Sequence, residues 1–167
     1  MERVNKFNDK GITLASLVIT IIVLLIIASI AIYYGTEAIK KANVENIRTN
    51  MLLINSKAKE YCEEANFRLG TGKAPEDAGE LQTYLQPAEN YLKEQLGEGN
   101  VSKNGNNFDV VINEEISQKM GLKNIDNKDK YSIDFNVIEN SVVIKYNSKI
   151  NDDDTKDSWT LSEVEEL

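Results

Sequence analysis

The sequence predicts an α+β protein: a long N-terminal α-helix, apolar in its first half and amphipathic in its second, packed against a small antiparallel β-sheet head. Three observations carry this. The 23 residues from Ile12 to Tyr34 contain no charged side chain. From Val44 to Ala65, apolar residues recur every three or four positions, the period of one helix face. Beyond Asn107 the period falls to two, the alternation of β-strands.

The first element, residues 12–34, is long enough to cross a bilayer. At about 1.5 Å per residue it makes roughly 35 Å of helix, against a hydrocarbon core of about 30 Å. Its polar side chains are Thr13, Ser16, Thr20 and Ser29, hydroxyls that can bond back to their own helix. The segment therefore reads as transmembrane. Ahead of it, residues 1–11 form a short leader carrying Arg3, Lys6 and Lys10 against Glu2 and Asp9. Basic flanks stay on the cytoplasmic side, so the leader is expected there and the head outside the cytoplasm. Lys40 and Lys41 argue the other way, but they lie a turn further out and acidic residues soon dilute them.

Residues 35–69 continue the helix without a proline. Val44, Ile47, Met51, Ile54, Ala58, Tyr61 and Ala65 form one apolar seam, with Glu45, Arg48, Lys57, Lys59, Glu60, Glu63 and Glu64 around it. A narrow stripe of this kind faces a local core, so the seam is expected to pack against the chain's own head. A coiled-coil partner would use the same stripe, but the repeat is short and two of its seven places are alanine. Gly70 is the expected helix stop.

The head is expected over residues 70–150. Asp77, with Glu80 three residues on, opens a short helix as a capping box, and Leu81, Tyr84 and Leu85 give it an apolar face. Pro87 reads as the first residue of a further helical turn ending at Gly97. Gly97–Asn107 is rich in Gly, Asn and Ser and reads as a loop. Phe108, Val110 and Ile112 mark a first strand, Tyr131 to Val137 a second and Val142–Tyr146 a third, with a tight turn at Glu139-Asn140. A short helix is expected around Glu115–Met120, before Gly121. Residues 151–167 read as an acidic, partly mobile tail.

Gly11-Ile12-Thr13-Leu14, followed by Leu17-Val18-Ile19 and the apolar run to Ala28, resembles the start of type IV prepilins and type II secretion pseudopilins. The wording Lys-Gly-Ile-Thr-Leu is most similar to the pilin-like proteins of Gram-positive bacteria. The resemblance covers residues 10–34. It implies a pilin-like fold and cleavage after Gly11 by a membrane-bound prepilin peptidase, with methylation of the new N-terminus at Ile12. It also implies that the partners are other pilin-like subunits and an inner-membrane assembly platform, and that the subunit is stored in the membrane before extraction into a pilus or pseudopilus. One position departs from the pattern. The family has glutamate at the fifth mature residue, where it pairs with a neighbour's N-terminal amine, and this chain has Ser16. A carboxylate in that medium is costly unless paired, and Ser16 cannot form the ion pair. The departure points to a minor or tip subunit.

Two plainer readings of the segment stand beside this one. A secretory signal peptide could be cut after Ser29-Ile30-Ala31, but its apolar core would be 17 residues, beyond the usual 7–15. A permanently anchored single-pass surface protein with a binding head explains the span but gives no reason for Gly11-Ile12-Thr13-Leu14.

Composition narrows the function further. The net charge is −8, which disfavours a nucleic-acid partner because phosphate contacts need a basic face. Cys62 is the single cysteine, so no intrachain disulfide can form, whereas many Gram-negative pilins close a C-terminal loop with one. There is no histidine, the commonest general base and metal ligand. No P-loop, dinucleotide fingerprint, nucleophile elbow or Cys-rich metal motif is present, so no catalytic residue, cofactor or enzymatic role is expected. Asn151 to Asp154 with Asp157 offers oxygen ligands for calcium. An EF-hand loop, however, needs glycine at its sixth place, here Lys156, and a solvated acidic tail is the preferred reading. Cys62 lacks a basic partner and reads as structural.

Overall fold

The computed structural model describes residues 14–152 and 154–167. Its elements are α1 (Leu14–Arg68), α2 (Ala78–Leu96), β1 (Val101–Asn104), β2 (Asn107–Val111), α3 (Glu114–Lys119), β3 (Tyr131–Asn136), β4 (Ser141–Tyr146), β5 (Trp159–Thr160) and α4 (Leu161–Glu165). The chain divides into two units, one ending at Lys41 and the other running Ala42–Leu167. The fold is α+β, with the long helix packed through its second half on an antiparallel sheet.

The second unit is a five-stranded meander in the order β1-β2-β3-β4-β5. Strict alternation builds its inner face: Tyr131, Ile133 and Phe135 are buried along β3 while Ser132, Asp134 and Asn136 are not. Register aligns these in rows. Val110, Ile133 and Ile144 form one, and Phe108, Phe135 and Val142 the next. Against them α1 places Ile47, Met51, Ile54, Ala58, Cys62 and Ala65, all buried. Spacings of four, three, four, four and three keep these side chains on one face. Leu85, Ala88, Leu92 and Leu96 of α2 complete the core.

Four expectations are corrected. The sheet has five strands, not three. β1 occupies part of the stretch read as a loop, because Val101 is its one buried residue and its remaining side chains are polar. The hairpin to β2 turns at Gly105-Asn106, a two-residue loop with glycine first, and Gly105 has φ 61°. Secondly, α2 runs through Pro87 as one helix. The proline forfeits one backbone hydrogen bond, but Leu85, Ala88, Leu92 and Leu96 bury the same face on both sides of it.

Thirdly, residues 151–167 are not simply a solvated tail: Trp159-Thr160 pairs with Tyr146-Lys145, and Val164 of α4 is fully buried. A capping box starts α4, with Thr160 N donating to Glu163 Oε2 at 2.8 Å. Lys156 and this cap hold Glu163 low, at about 2. Fourthly, the inward place near the end of the seam belongs to Cys62, one residue after Tyr61. Tyr61 is half-buried beside it, and its hydroxyl donates to Lys119 O at 3.2 Å.

Local chemistry fixes the helix ends. Asp77 Oδ1 accepts from Gly79 N and Glu80 N at 2.9 and 3.0 Å, capping α2. At its other end Gly97 has φ 104°, and a Cβ there would sit 2.6 Å from Asn100 Nδ2. Gly70, at φ 79°, ends α1 as the seam pattern predicts. Glu89 of α2, 8% exposed, bonds Lys93 Nζ at 2.7 Å and lies 3.5 Å from Lys103 Nζ of β1. The Lys93 hydrogen bond leads in holding its pKa low. This buried charge group ties α2 to the sheet edge.

Candidate membrane and assembly segment

The first 21 residues of α1, Leu14–Tyr34, carry no charge, and every one of them is exposed. None of these residues is buried. An exposed helix of this length and composition meets the requirements for crossing a membrane. Its hydroxyls are turned back on the backbone. Thr20 Oγ1 donates to Ser16 O at 2.9 Å and Leu17 O at 2.8 Å, and Ser29 Oγ donates to Leu25 O at 2.8 Å. Satisfying hydroxyls internally removes the cost of burying them in hydrocarbon. Tyr33 and Tyr34 follow, edge to face with ring centroids 5.7 Å apart, where an aromatic belt belongs. Charge resumes with Glu37, Lys40 and Lys41.

Gly11 and Ile12, the expected processing junction, lie outside the described residues. Ser16, the position where the resemblance to prepilins leads one to expect glutamate, is exposed on the first turns of α1. Its hydroxyl brings no charge into the apolar segment.

The seam residues gather in the second unit. Ile47, Met51 and Ile54 are buried, and Val44 and Tyr61 are half-buried against the same core. Sequence reasoning missed Asn50, which is 6% exposed on this face. Its Nδ2 donates to Tyr131 OH at 3.1 Å and to Asn46 Oδ1 at 3.0 Å. Burial pushes the Tyr131 hydroxyl up to about 12, the Asn50 hydrogen bond working against it. Asn50 sits between Ile47 and Met51, so a seam residue was visible there only by position, not by type. Further along, Asn66 Nδ2 donates to Val137 O at 2.7 Å, fixing α1 against the end of β3.

Cys62 is 1% exposed, and its Sγ approaches Ser141 O at 3.5 Å and Asn136 O at 3.8 Å. Burial, with Glu63 adding to it, pushes the thiol up to about 11. A thiol raised from 9.0 favours the folded state fully below pH 9, and that contribution is lost as pH rises towards 11. At pH 8 the folded protein should therefore give almost no reaction with a thiol-specific disulfide reagent. One equivalent should react after denaturation. Rapid labelling of the folded chain would show that Cys62 is reachable.

In the acidic stretch, Asn151 N donates to Asp154 Oδ2 at 2.9 Å, closing a turn on itself; Asp153 lies outside the described residues. Among the described residues, no group of three or more His, Cys, Asp or Glu side chains is placed to hold a metal ion. No known protein family, curated protein or solved structure matches this chain.

Proposed function

We propose that this protein is a pilin-like structural subunit of a type IV pilus or type II secretion-type pseudopilus. It is stored in the membrane with its N-terminus cytoplasmic and its head outside, then assembled after prepilin-peptidase cleavage at Gly11. The observation that carries this reading is α1: uncharged and uncovered from Leu14 to Tyr34, and buried against an antiparallel sheet from Ile47 onward. An exposed apolar half-helix needs lipid before assembly and other subunits after it. The leader and the Gly11-Ile12-Thr13-Leu14 sequence add the reason for a cut at that junction.

Ser16 bears on the role within the fibre. Each subunit offers the amine of Ile12, yet from Ile12 onward this chain supplies no carboxylate before Glu37. A tip or minor subunit can give its amine to a partner's glutamate and need no acid of its own. The same residue is what favours a second reading, a permanently anchored surface domain, which requires neither the ion pair nor processing.

Intact-mass analysis of the protein from its native membrane separates the two. The mature chain should begin at Ile12 and carry one N-methyl group. Gly11→Val should leave the precursor uncut, because a β-branched residue at the scissile position crowds the cleft that glycine fits. A native chain starting at Met1, or after Ala31, would overturn the proposal.

A further inference from the structure

Two patches on the second unit are complementary to one another and cannot meet within one chain. The first is a groove between α1 and the loop after α3. Leu53, Leu122 and Ile125 give it an apolar floor, and Lys57 and Lys123 stand at its rim. Leu53 is 52% exposed, an unusual position for a leucine beside a core. Lys123 makes no ion pair among the described residues, and Lys57 shares its charge with Glu60 at 2.9 Å. Asp126, the next residue along the loop, lines a separate polar depression with Lys130 and Lys149. The second patch is the end of α4, where Leu167 is 61% exposed beside the exposed Glu165 and Glu166. Neither glutamate makes an ion pair among the described residues.

The patches lie on opposite flanks of α1. Leu53 and Lys57 face the groove, whereas Asn55 and Lys59 face β4 and α4. Each pair is two residues apart, about 200° around a helix of 3.6 residues per turn. Arg48 Nη2, bonded to Val164 O at 3.0 Å, keeps α4 on that far side.

We infer that the Leu167 end of one copy, with Glu165 and Glu166, docks into the Leu53–Leu122–Ile125 groove of a second copy, the glutamates meeting Lys57 and Lys123. An apolar anchor flanked by two acids fits an apolar groove rimmed by two bases, in shape of charge as well as in polarity. Because donor and acceptor patches differ, the contact is head-to-tail. A contact of that kind repeats along an open fibre instead of stopping at a dimer. The inference rests on the assembly reading proposed above and names the surface through which neighbouring heads recognise each other.

Cross-linking of the full-length chain in its native cells tests it. Asn124→Cys places a thiol in the groove and Glu166→Cys one at the tail, each leaving the other groove and tail side chains in place. The buried Cys62 supplies the background. Differently tagged copies carrying one change each should form mixed disulfide dimers, and a chain carrying both should give a ladder of oligomers. Lys57→Glu with Lys123→Glu should abolish the ladder, and adding Glu165→Lys should restore part of it. Leu24→Cys, in the apolar segment, reports association independently of the heads. Cross-links at Leu24→Cys without mixed head dimers would overturn this inference while leaving subunit assembly standing. Dimers of like with like, or capture of a different protein by the groove thiol alone, would also overturn it. Absence of cross-links at every position would sink both the inference and the assembly reading.

Discussion

Met51→Asp should unfold the head or come close to it. Met51 is completely buried between α1 and the sheet, one turn after Ile47 and one before Ile54. The buried polar groups on this face of α1, the amide of Asn50 and the hydroxyl of Tyr131, are neutral and already bonded to each other. A carboxylate there loses its hydration without gaining a partner and also leaves a void where the thioether packed. The two effects together should cost about 4 kcal/mol or more. Domains of this size are stable by only about 5–15 kcal/mol. Thr49→Asp, two residues away on the exposed side of the same helix, should cost no more than about 0.5 kcal/mol. Near-ultraviolet circular dichroism of Tyr131 and Tyr146, whose rings pack 5.1 Å apart in β3 and β4, follows urea unfolding of the full chain in detergent micelles. Equal midpoints for Met51→Asp, Thr49→Asp and the parent would show that this face of α1 is not core.

The parts of the fold legible in the sequence are those where one periodic pattern dominates. The uncharged run before Gly35, the seam from Ile47 to Ala65 and the alternation of Tyr131 to Phe135 each declare an element by apolar spacing alone. The misses have the opposite character. β1 buries little more than Val101 and owes its place to its hairpin with β2, whose polar, glycine-containing turn has the composition of a loop. Pro87 normally announces a helix start, yet packing on both of its sides overrides that preference. Tyr61 extends the alternating three-and-four rhythm and packs half-buried on the core, while the fully buried place beside it is Cys62. A straight 3.6-residue helix drifts from that rhythm, and after Ala58 the inward place falls four residues on.

For the candidate site the division is similar. The membrane-length segment is written in composition, and the position of Ser16 is read by counting from Gly11. The groove and tail patches were invisible, because Leu53, Leu122 and Leu167 belong to three distant segments that only the folded head makes into surfaces.

Disrupting the end of the chain should release the head's last strand without dissolving its first four. With one cysteine the protein cannot tie down its C-terminal region covalently, and the structure shows what does so instead. Val164 is fully buried, and Arg48, reaching from α1, donates from Nη2 to Val164 O and, at 3.4 Å, to Glu165 O. Glu45 holds the same guanidinium through Nη1 at 2.5 Å. The last carbonyls of a helix lack intrahelical donors, and a guanidinium supplies them with favourable charge. Behind this clasp, Trp159 and Thr160 add only two residue pairs to the sheet. Arg48→Met keeps the aliphatic stem but removes the donors, a loss of roughly 1.5–3 kcal/mol for hydrogen bonds from a charged group. Val164→Asp puts an unpaired charge in the core and should cost several kcal/mol, on the order of 3 or more. Because β5 and α4 are peripheral to the four longer strands, most of that cost should appear as local opening. Limited proteolysis should then cut between Asn151 and Trp159 in Val164→Asp much faster than in the parent, with Trp159 fluorescence shifting to longer wavelength. Amide protection in β2 and β3 should fall far less. If protection in β2 and β3 collapsed together with the tail, the clasp would be part of one cooperative core. If Val164→Asp left the cutting rate unchanged, the tail would not be held by Val164 at all.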